Sequence, residues 1–328
     1  MLKKILVFTD LDGTLLDHYT YQTDDATEMI ATLKLNAIDI IPNSSKTLPE
    51  ISLIREQLDL SSPFIIENGA AVFIPINYFK QQPADTLEQG KYWVKSFSKE
   101  KSYWLQLLNS EASAYQHLFQ GFSEMSNEQL AELTGLSIEN AAMAKQRQYG
   151  EPLNWLGDDL QKTEFNNLMR HLGANVLEGG RFLHISGHCD KGLAQQWLTE
   201  LYLQQDLQEQ DAQITVSAPP STSSLDNAST TQSVTSSTTL ANTSSLLPLQ
   251  QALLQNNESN KQVISIAMGD GKNDIAMLEQ ATIAVQVRSP VHDFPPLSRT
   301  EHVYQSHLYG PAGWTECLNE ILSSTQIY

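Results

Sequence analysis

The 328-residue chain is poor in cysteine and in basic residues, and it has no long apolar run. Its two cysteines, Cys189 and Cys317, lack the paired spacing of a zinc site and are too few for a disulfide framework. No stretch approaches the ~20 apolar residues that cross a bilayer. Residues 1–4 lead straight into an apolar segment without a signal peptide. We therefore expect a cytoplasmic protein.

Basic residues are outnumbered: 20 Lys and Arg face 38 Asp and Glu, which gives a formal net charge of −18. A surplus of this sign repels nucleic acids and anionic membranes, so we expect neither as a partner. It also repels anionic small molecules at long range. Any phosphate site must therefore be locally positive, through a metal ion, a few cations or helix N-termini.

Residues 211–257 contain no Lys, Arg or Glu, and Ser, Thr, Asn, Ala and Pro dominate them. Such a composition cannot bury enough apolar surface to offset the entropy lost on ordering. We predict a flexible surface insertion, with a short helix possible at 246–254, and we assign it no function.

An acidic pair follows the first predicted strand. Ile5 to Phe8 are continuously apolar, as in a strand buried on both faces, and Asp10 and Asp12 come next. Two carboxylates at the end of a buried strand are costly unless a cation compensates them, and oxygen ligands suit Mg²⁺ better than zinc. Taken alone, the pair is also consistent with a polar turn.

Three further predicted strands are followed by polar residues of the kinds that bind phosphate or metal. They are Ser44, Ser45 and Lys46 after the second strand, Lys191 at the start of a helix, and Asp270, Asn273 and Asp274 after residues 263–268. Helix capping explains Thr47 and Glu50 but not the three residues before them. Lys191 is equally consistent with an exposed loop lysine, although a cation in the first turn opposes the helix dipole.

The alternation of strands and helices predicts an α/β fold with a doubly wound, mostly parallel, Rossmann-like core sheet. We predict a core of residues 1–78 and 186–328, with 284–287 as the final strand of its sheet. An inserted α/β cap occupies residues 79–185. Strand ends of such a sheet lie along one edge, so the four polar clusters can converge there. Together they form a set suited to phosphoryl transfer.

Two polar features of the predicted cap have plain structural explanations. The cluster at residues 145–152 follows a helix predicted over 137–148, and a basic C-terminal turn that complements the helix dipole accounts for it. His184 lies on a predicted strand, where a satisfied structural histidine is as good an explanation as a substrate contact.

The four clusters resemble the catalytic motifs of the haloacid-dehalogenase superfamily of phosphatases. Residues 10–14 are similar to its first motif, Ser44 or Ser45 to its second, Lys191 to its third, and residues 269–274 to its fourth. Ser44 aligns better than Ser45 with the hydroxyl position. The resemblance implies an enzyme that uses Mg²⁺ and carries the larger α/β type of cap.

Within that superfamily the chain most resembles the mannosyl-3-phosphoglycerate phosphatase family. The segments that carry this resemblance are 8–18, 44–47, 64–71, 132–136, 144–147 with 151–152, 179–184 and 310–314. The Ser/Thr-rich insertion is foreign to the pattern. The cluster at residues 145–152 is explained above as a basic helical turn, but the resemblance implies that it binds substrate.

The resemblance implies hydrolysis of 2-O-mannosyl-3-phosphoglycerate, a small phosphorylated sugar-glycerate, to phosphate and mannosylglycerate, a compatible solute. Glucosyl-3-phosphoglycerate or another sugar phosphate remains an alternative substrate. A phosphomutase and a non-catalytic sugar-phosphate-binding protein remain alternative classes. Asp10 and Asp12 together disfavour the last class, because binding alone needs no nucleophile beside an acid. No oligomeric state follows from the sequence.

The same resemblance implies a role for each candidate residue. Asp10 is the expected nucleophile, Asp12 the general acid and then base, and Lys191 a ligand of the phosphoryl group. The expected metal-site residues are Asp10, Asp12, Asp270 and Asp274, with Asp12 contributing its backbone carbonyl and Asp274 orienting Lys191 or a metal-bound water. The expected phosphate- and substrate-binding residues are Ser44, Ser45, Lys46, Arg147, Arg181 and Asn273. Arg147 and Arg181 are expected to pair with the glycerate carboxylate, which suits a guanidinium.

Overall fold

The computed structural model describes residues 4–179, 182–217 and 263–324. Within these ranges the strands are β1 Lys4–Thr9, β2 Asp39–Pro42, β3 Phe64–Ile66, β4 Ala71–Pro75, β5 Leu87–Gln89, β6 Tyr92–Ser96, β7 Phe119–Gly121, β8 Glu151–Trp155, β9 Asn175–Gly179, β10 Phe182–Ser186, β11 Val263–Gly269, β12 Ile283–Arg288 and β13 Val303–Tyr309. The helices are α1 Thr27–Leu35, α2 Leu48–Gln57, α3 Lys101–Ser110, α4 Asn127–Thr134, α5 Ile138–Ala144, α6 Asp159–His171, α7 Lys191–Ser217, α8 Ile275–Gln280 and α9 Gly310–Ser323. None of the helices in these ranges combines the length and the apolar character that a bilayer crossing requires.

A five-stranded parallel sheet in the order β13-β12-β11-β1-β2 forms the core. Successive residues of a strand point to opposite faces, and β1 shows this directly. Ile5 and Val7 join an apolar cluster with residues of α1, α2 and α9. Leu6 and Phe8 join a second cluster with the buried face of α7. Helices therefore cover both faces, and the predicted doubly wound α/β fold is confirmed.

The edge of this sheet differs from the prediction. Residues 284–287 are not its final strand, because β13 pairs in parallel with β12 beyond them. The exposure of β13 explains the error: most of its side chains are only partly buried or exposed, so it lacks the apolar run of the inner strands. The polypeptide then enters α9, whose Trp314, Leu318 and Ile321 are buried against the core.

Two antiparallel four-stranded sheets complete the described fold. One has the order β3-β4-β6-β5, and a single parallel bridge between Asn43 and Ile65 joins it to the end of β2. Its strands β5 and β6 include residues 87–96, which the sequence placed in the inserted cap. The other sheet, β7-β8-β10-β9, packs on α3 and α6 through residues that include Trp104, Phe165 and Leu183.

The C-terminal ends of two helices also differ from the prediction. The helix predicted over 137–148 ends at Ala144, so residues 145–150 of the cluster form an irregular segment, and residues 151 and 152 begin β8. Helix α7 runs to Ser217, so the first seven residues of the predicted insertion are helical. The rest of that insertion, with the helix predicted at 246–254, lies outside the described residues.

Candidate active site

The turn after β1 places two carboxylates at the carboxyl edge of the core sheet. Asp10 N–H donates to Met268 O at 2.8 Å, which continues the pairing of β1 with β11. Gly13 has φ +77°, and a Cβ there would lie 2.7 Å from Asp270 Oδ2. Glycine is therefore needed where this turn crosses the loop after β11, and it brings the first and fourth clusters into contact.

Lys191 lies at the centre of the site with no solvent exposure. Its Nζ is 2.6 Å from Asp10 Oδ1 and 2.6 Å from Asp274 Oδ1. The alternative of an exposed loop lysine is therefore wrong. The buried Asn43 side chain donates to Lys191 O at 3.0 Å, which fixes the start of α7 against the end of β2.

The electrostatics of this cluster are dominated by an excess of buried carboxylates over cations. Burial raises the pKa of Asp10 well above its usual range, and the neighbouring carboxylates add to this against the opposing charge of Lys191. Burial and then Asp274 raise the pKa of Asp270. Burial alone lowers the pKa of Lys191, but Asp10 and Asp274 outweigh it, so the lysine remains charged.

Three of these carboxylates are arranged as a metal site requires. Asp10, Asp270 and Asp274 each offer one oxygen, and these atoms all lie within 4.8 Å of one another. A set of buried carboxylate oxygens matches the ligand preference of Mg²⁺ rather than that of thiolate- or imidazole-binding metals. Lys191 is the only basic residue paired with these carboxylates at less than 3 Å among the described residues. The cluster thus fits a hard divalent cation.

Asp12 occupies a different environment from Asp10. Its side chain is 38% exposed, and Oδ1 lies 2.8 Å from Lys46 Nζ. The Lys46 ammonium is also 3.9 Å from Glu50 and lies over the Tyr21 ring. Burial lowers the pKa of Lys46, but Asp12 and Glu50 together outweigh it, and the net pKa is raised. The structure therefore pairs Lys46 with the expected proton shuttle.

The two serines after β2 differ in burial. Ser44 is fully buried, and its Oγ accepts from Lys46 N–H at 3.3 Å. Ser45 is half-buried, and its carbonyl oxygen accepts from Arg147 Nη1 at 3.3 Å.

The model of the haloacid dehalogenase-like hydrolases matches residues 7–176, which is more than half of the chain. The chain belongs to this family. A Methanococcoides burtonii protein named glucosyl-3-phosphoglycerate/mannosyl-3-phosphoglycerate phosphatase is 29% identical over 319 residues, which span 97% of each chain. The mannosyl-3-phosphoglycerate phosphatase of Pyrococcus furiosus is 33% identical over 202 residues, 61% of this chain and 79% of that one. The crystal structure of Thermoplasma acidophilum 0175 has the same fold, with a TM-score of 0.55 at 13% identity, over 98% of this chain and 99% of that one.

The chain is thus a haloacid dehalogenase-like phosphatase related to mannosyl-3-phosphoglycerate phosphatases, and the predicted phosphoric monoester hydrolase is confirmed. The predicted family resemblance is confirmed as well. These comparisons do not reach individual site residues, whose roles stay predictions.

Two further candidate residues, Arg147 and Asn273, both contact the turn between β3 and β4. Arg147 Nε is 3.3 Å from Glu67 Oε2, so its guanidinium joins the 145–152 segment to the core. Asn273 donates to Asn68 Oδ1 at 3.1 Å. His184 is half-buried, and burial followed by the charge of Arg147 lowers its pKa to about 3. Arg181 lies outside the described residues.

Several residues around the site escaped sequence reasoning. Asn43 directly precedes Ser44 and Ser45, and its position at the end of a strand could have indicated that it belongs to the site. Trp314 Nε1 donates to Thr9 Oγ1 at 3.1 Å, and Thr9 Oγ1 donates to Asp10 O. The segment 310–314, which carried part of the family resemblance, therefore helps to hold the Asp10 backbone in place. His292 Nε2 lies 3.5 Å from Asp270 Oδ2, and no sequence pattern pointed to it.

A cleft of about 450 Å³ begins at Lys46 and runs between the loop after β1, α2 and α5. Its polar lining includes Tyr21, Gln22, Glu50, Gln57 and Asn140. Because Lys46 contacts Asp12, the cleft opens on the Asp12 side of the site. Its volume is in the range of sites for small organic ligands, about 300–1,000 Å³.

Proposed function

We propose that the protein is a Mg²⁺-dependent phosphatase that hydrolyses 2-O-mannosyl-3-phosphoglycerate to mannosylglycerate and phosphate in the cytoplasm. The observation that carries the chemistry is the fully buried Lys191, which contacts Asp10 and Asp274 at 2.6 Å each. We infer the substrate from the relatives in Methanococcoides burtonii and Pyrococcus furiosus, whose names include this activity.

Asp10 serves as the nucleophile that attacks phosphorus and forms an aspartyl-phosphate. Lys191 holds its carboxylate in place and, with Ser44, offers donors for the phosphoryl oxygens. Asp10, Asp270, Asp274 and the Asp12 backbone carbonyl would hold Mg²⁺. The bound ion supplies positive charge that offsets the repulsion between a carboxylate nucleophile and a phosphate dianion.

Asp12 serves first as general acid and then as general base. It protonates the departing alkoxide, and its carboxylate then takes a proton from the water that hydrolyses the aspartyl-phosphate. Its partial exposure and its contact with Lys46 distinguish it from the buried Asp10. Lys46 holds Asp12 on the side from which the alcohol leaves.

The leaving alcohol lies opposite the nucleophile, because displacement at phosphorus is roughly in line. The cleft adjoins the Asp12 side of the site, because Lys46 both lines the cleft and contacts Asp12. We place the sugar-glycerate there, between the loop after β1 and α5. Because β6 pairs with β4 and β5 pairs with β6, we propose that the core extends to about residue 97 and that the specificity cap comprises residues 98–187.

A panel of phosphate esters tests this proposal. Phosphate release from mannosyl-3-phosphoglycerate, glucosyl-3-phosphoglycerate and simple sugar phosphates is measured with Mg²⁺ and with EDTA. We expect the mannosyl ester to give the highest kcat/KM and EDTA to abolish turnover. A rank no better than that of generic sugar phosphates would reject the substrate, and full activity in EDTA would reject the metal.

Labelled water separates hydrolysis from a phosphomutase reaction. A phosphatase incorporates oxygen from solvent into the released phosphate, whereas a mutase passes the aspartyl-phosphate to a second sugar hydroxyl. We expect one labelled oxygen per phosphate released in a single turnover, and phosphate transfer without label would reject the hydrolase.

A further inference from the structure

The turn between β3 and β4 contacts three of the four loops of the proposed site: the Ser44–Lys46 loop, the residue before Lys191 and the loop after β11. Its three residues, Glu67, Asn68 and Gly69, have φ of 49°, 59° and 88°, so the backbone is left-handed over all three. Such conformations cost free energy at non-glycine residues, and they persist where the surrounding structure holds them. Glu67 and Asn68 are not glycine, which indicates that contacts made by their side chains offset this cost.

The Glu67 side chain reaches into the proposed cap. It is 1% exposed, and its two carboxylate oxygens accept three successive backbone N–H groups. Gln148 donates to Oε1 at 2.6 Å, and Tyr149 and Gly150 donate to Oε2 at 3.2 and 3.1 Å. Arg147 Nε lies 3.3 Å from the same Oε2. A buried carboxylate with this many partners fixes the segment that leads into β8.

The backbone and the neighbouring residues of the same turn hold the catalytic loops. Glu67 N–H donates to Lys46 O at 3.0 Å, and Asn68 N–H donates to Ser44 O at 2.9 Å. Asn68 Oδ1 accepts from Asn273 at 3.1 Å, on the loop after β11. A Cβ on Gly69 would overlap Asp190 O, so the turn also packs directly against the residue before Lys191.

We propose that the turn 67–69 couples the position of the cap to the catalytic loops, with Glu67 as the positioning residue that fixes residues 147–150 over the Ser44–Lys46 loop. This inference rests on the proposed function, because it assigns to the cap the binding of the leaving alcohol. A substrate whose alcohol reaches the cap then depends on Glu67. A small aryl phosphate, whose alcohol does not reach the cap, is far less dependent on it.

The test compares two substrates in the Glu67→Gln variant, which keeps the side-chain shape but removes the charge and one acceptor. The loss of a hydrogen bond to a charged group changes an equilibrium constant by a factor of about 10 to 100. We expect kcat/KM for mannosyl-3-phosphoglycerate to fall about tenfold or more beyond any fall for p-nitrophenyl phosphate, mainly through KM. Equal losses on both substrates, or no loss, would overturn the coupling.

Two controls isolate the side chain. Glu178→Gln makes the same chemical change at an exposed cap residue that pairs with Lys162 at 3.8 Å, and the substrate ratio is expected to stay at its wild-type value. Asn68→Gly keeps the backbone conformation but removes the contact with Asn273, so both substrates are expected to lose activity equally. A change of ratio in Glu178→Gln as large as that in Glu67→Gln would overturn the proposal.

Hydrogen exchange of the wild-type protein tests the clamp without a mutation, in case Glu67→Gln does not fold. The amides of residues 148–150 are expected to exchange at least about a hundredfold slower than in an unfolded chain. Exchange at the unprotected rate would overturn the clamp. Failure of the wild type to hydrolyse mannosyl-3-phosphoglycerate would instead reject the proposed function, and the exchange measurement would still decide whether the clamp exists.

Discussion

Substitution of Gly69 by alanine gives the sharpest test of how the turn and the Lys191 loop pack. An added Cβ would overlap Asp190 O and lie 2.8 Å from Lys191 N, and both are backbone atoms that cannot rotate away. The left-handed φ of +88° costs about 1–2 kcal/mol for a non-glycine residue. Overpacking adds about 1–3 kcal/mol. We therefore expect Gly69→Ala to lower the free energy of unfolding by about 2–5 kcal/mol.

Gly90→Ala is the matched control, because Gly90 lies in the β5–β6 turn of the same sheet. Its φ is +58°, and no atom lies within 4 Å of a Cβ built there, so only the backbone cost applies. Urea unfolding followed by tryptophan fluorescence and circular dichroism measures both variants. Gly69→Ala is expected to be the less stable by about 1–3 kcal/mol, and to lose kcat because Lys191 shifts. Equal midpoints of unfolding for the two variants would refute the steric reasoning.

Two further predictions concern pH and the serines. Burial and the charge of Arg147 lower the pKa of folded His184 to about 3, whereas an unfolded histidine has a pKa of about 6.5. As the pH decreases below about 6.5, only the unfolded chain takes up the proton, so the free energy of unfolding decreases. Between pH 7.5 and 5 the wild type is expected to lose about 1–2 kcal/mol more unfolding free energy than His184→Gln; parallel pH profiles would contradict this. Ser44→Ala is expected to lower kcat/KM about 10- to 100-fold through a lost hydrogen bond to the phosphoryl group, and the half-exposed Ser45→Ala less than about threefold. Steady-state kinetics that ranked the two serines in the opposite order would assign the phosphate contact to Ser45.

The sequence was most informative where local pattern and topology agree. Buried strands are recognisable as apolar runs, and the ends of parallel strands share one edge, so the meeting of Asp10, Lys191, Asp270 and Asp274 was predictable from topology. The capping residues Thr47 and Glu50 are likewise a local signal, and Thr47 N–H and Oγ1 both donate to Glu50 Oε2, at 2.8 and 2.7 Å.

Contacts that depend on distant segments were not predictable. The contact of Lys46 with Asp12, 34 positions away in the chain, was not among the predictions. Nothing near Glu67 in the sequence indicates that three amides of residues 148–150 will reach it. Strand β13 was missed because an exposed edge strand lacks the apolar run on which the assignment of strands relied.

Trapping of the aspartyl-phosphate tests the central role of Asp10 most directly. In Asp12→Asn, p-nitrophenyl phosphate can still transfer its phosphoryl group, because this leaving group needs no general acid, whereas hydrolysis lacks its base. Rapid acid quench and peptide mass spectrometry are then expected to find one added phosphoryl group at Asp10, and none in the Asp10→Asn, Asp12→Asn double variant. An unmodified Asp10 in Asp12→Asn, or a phosphoryl group on any other residue, would contradict the assignment of Asp10 as the nucleophile.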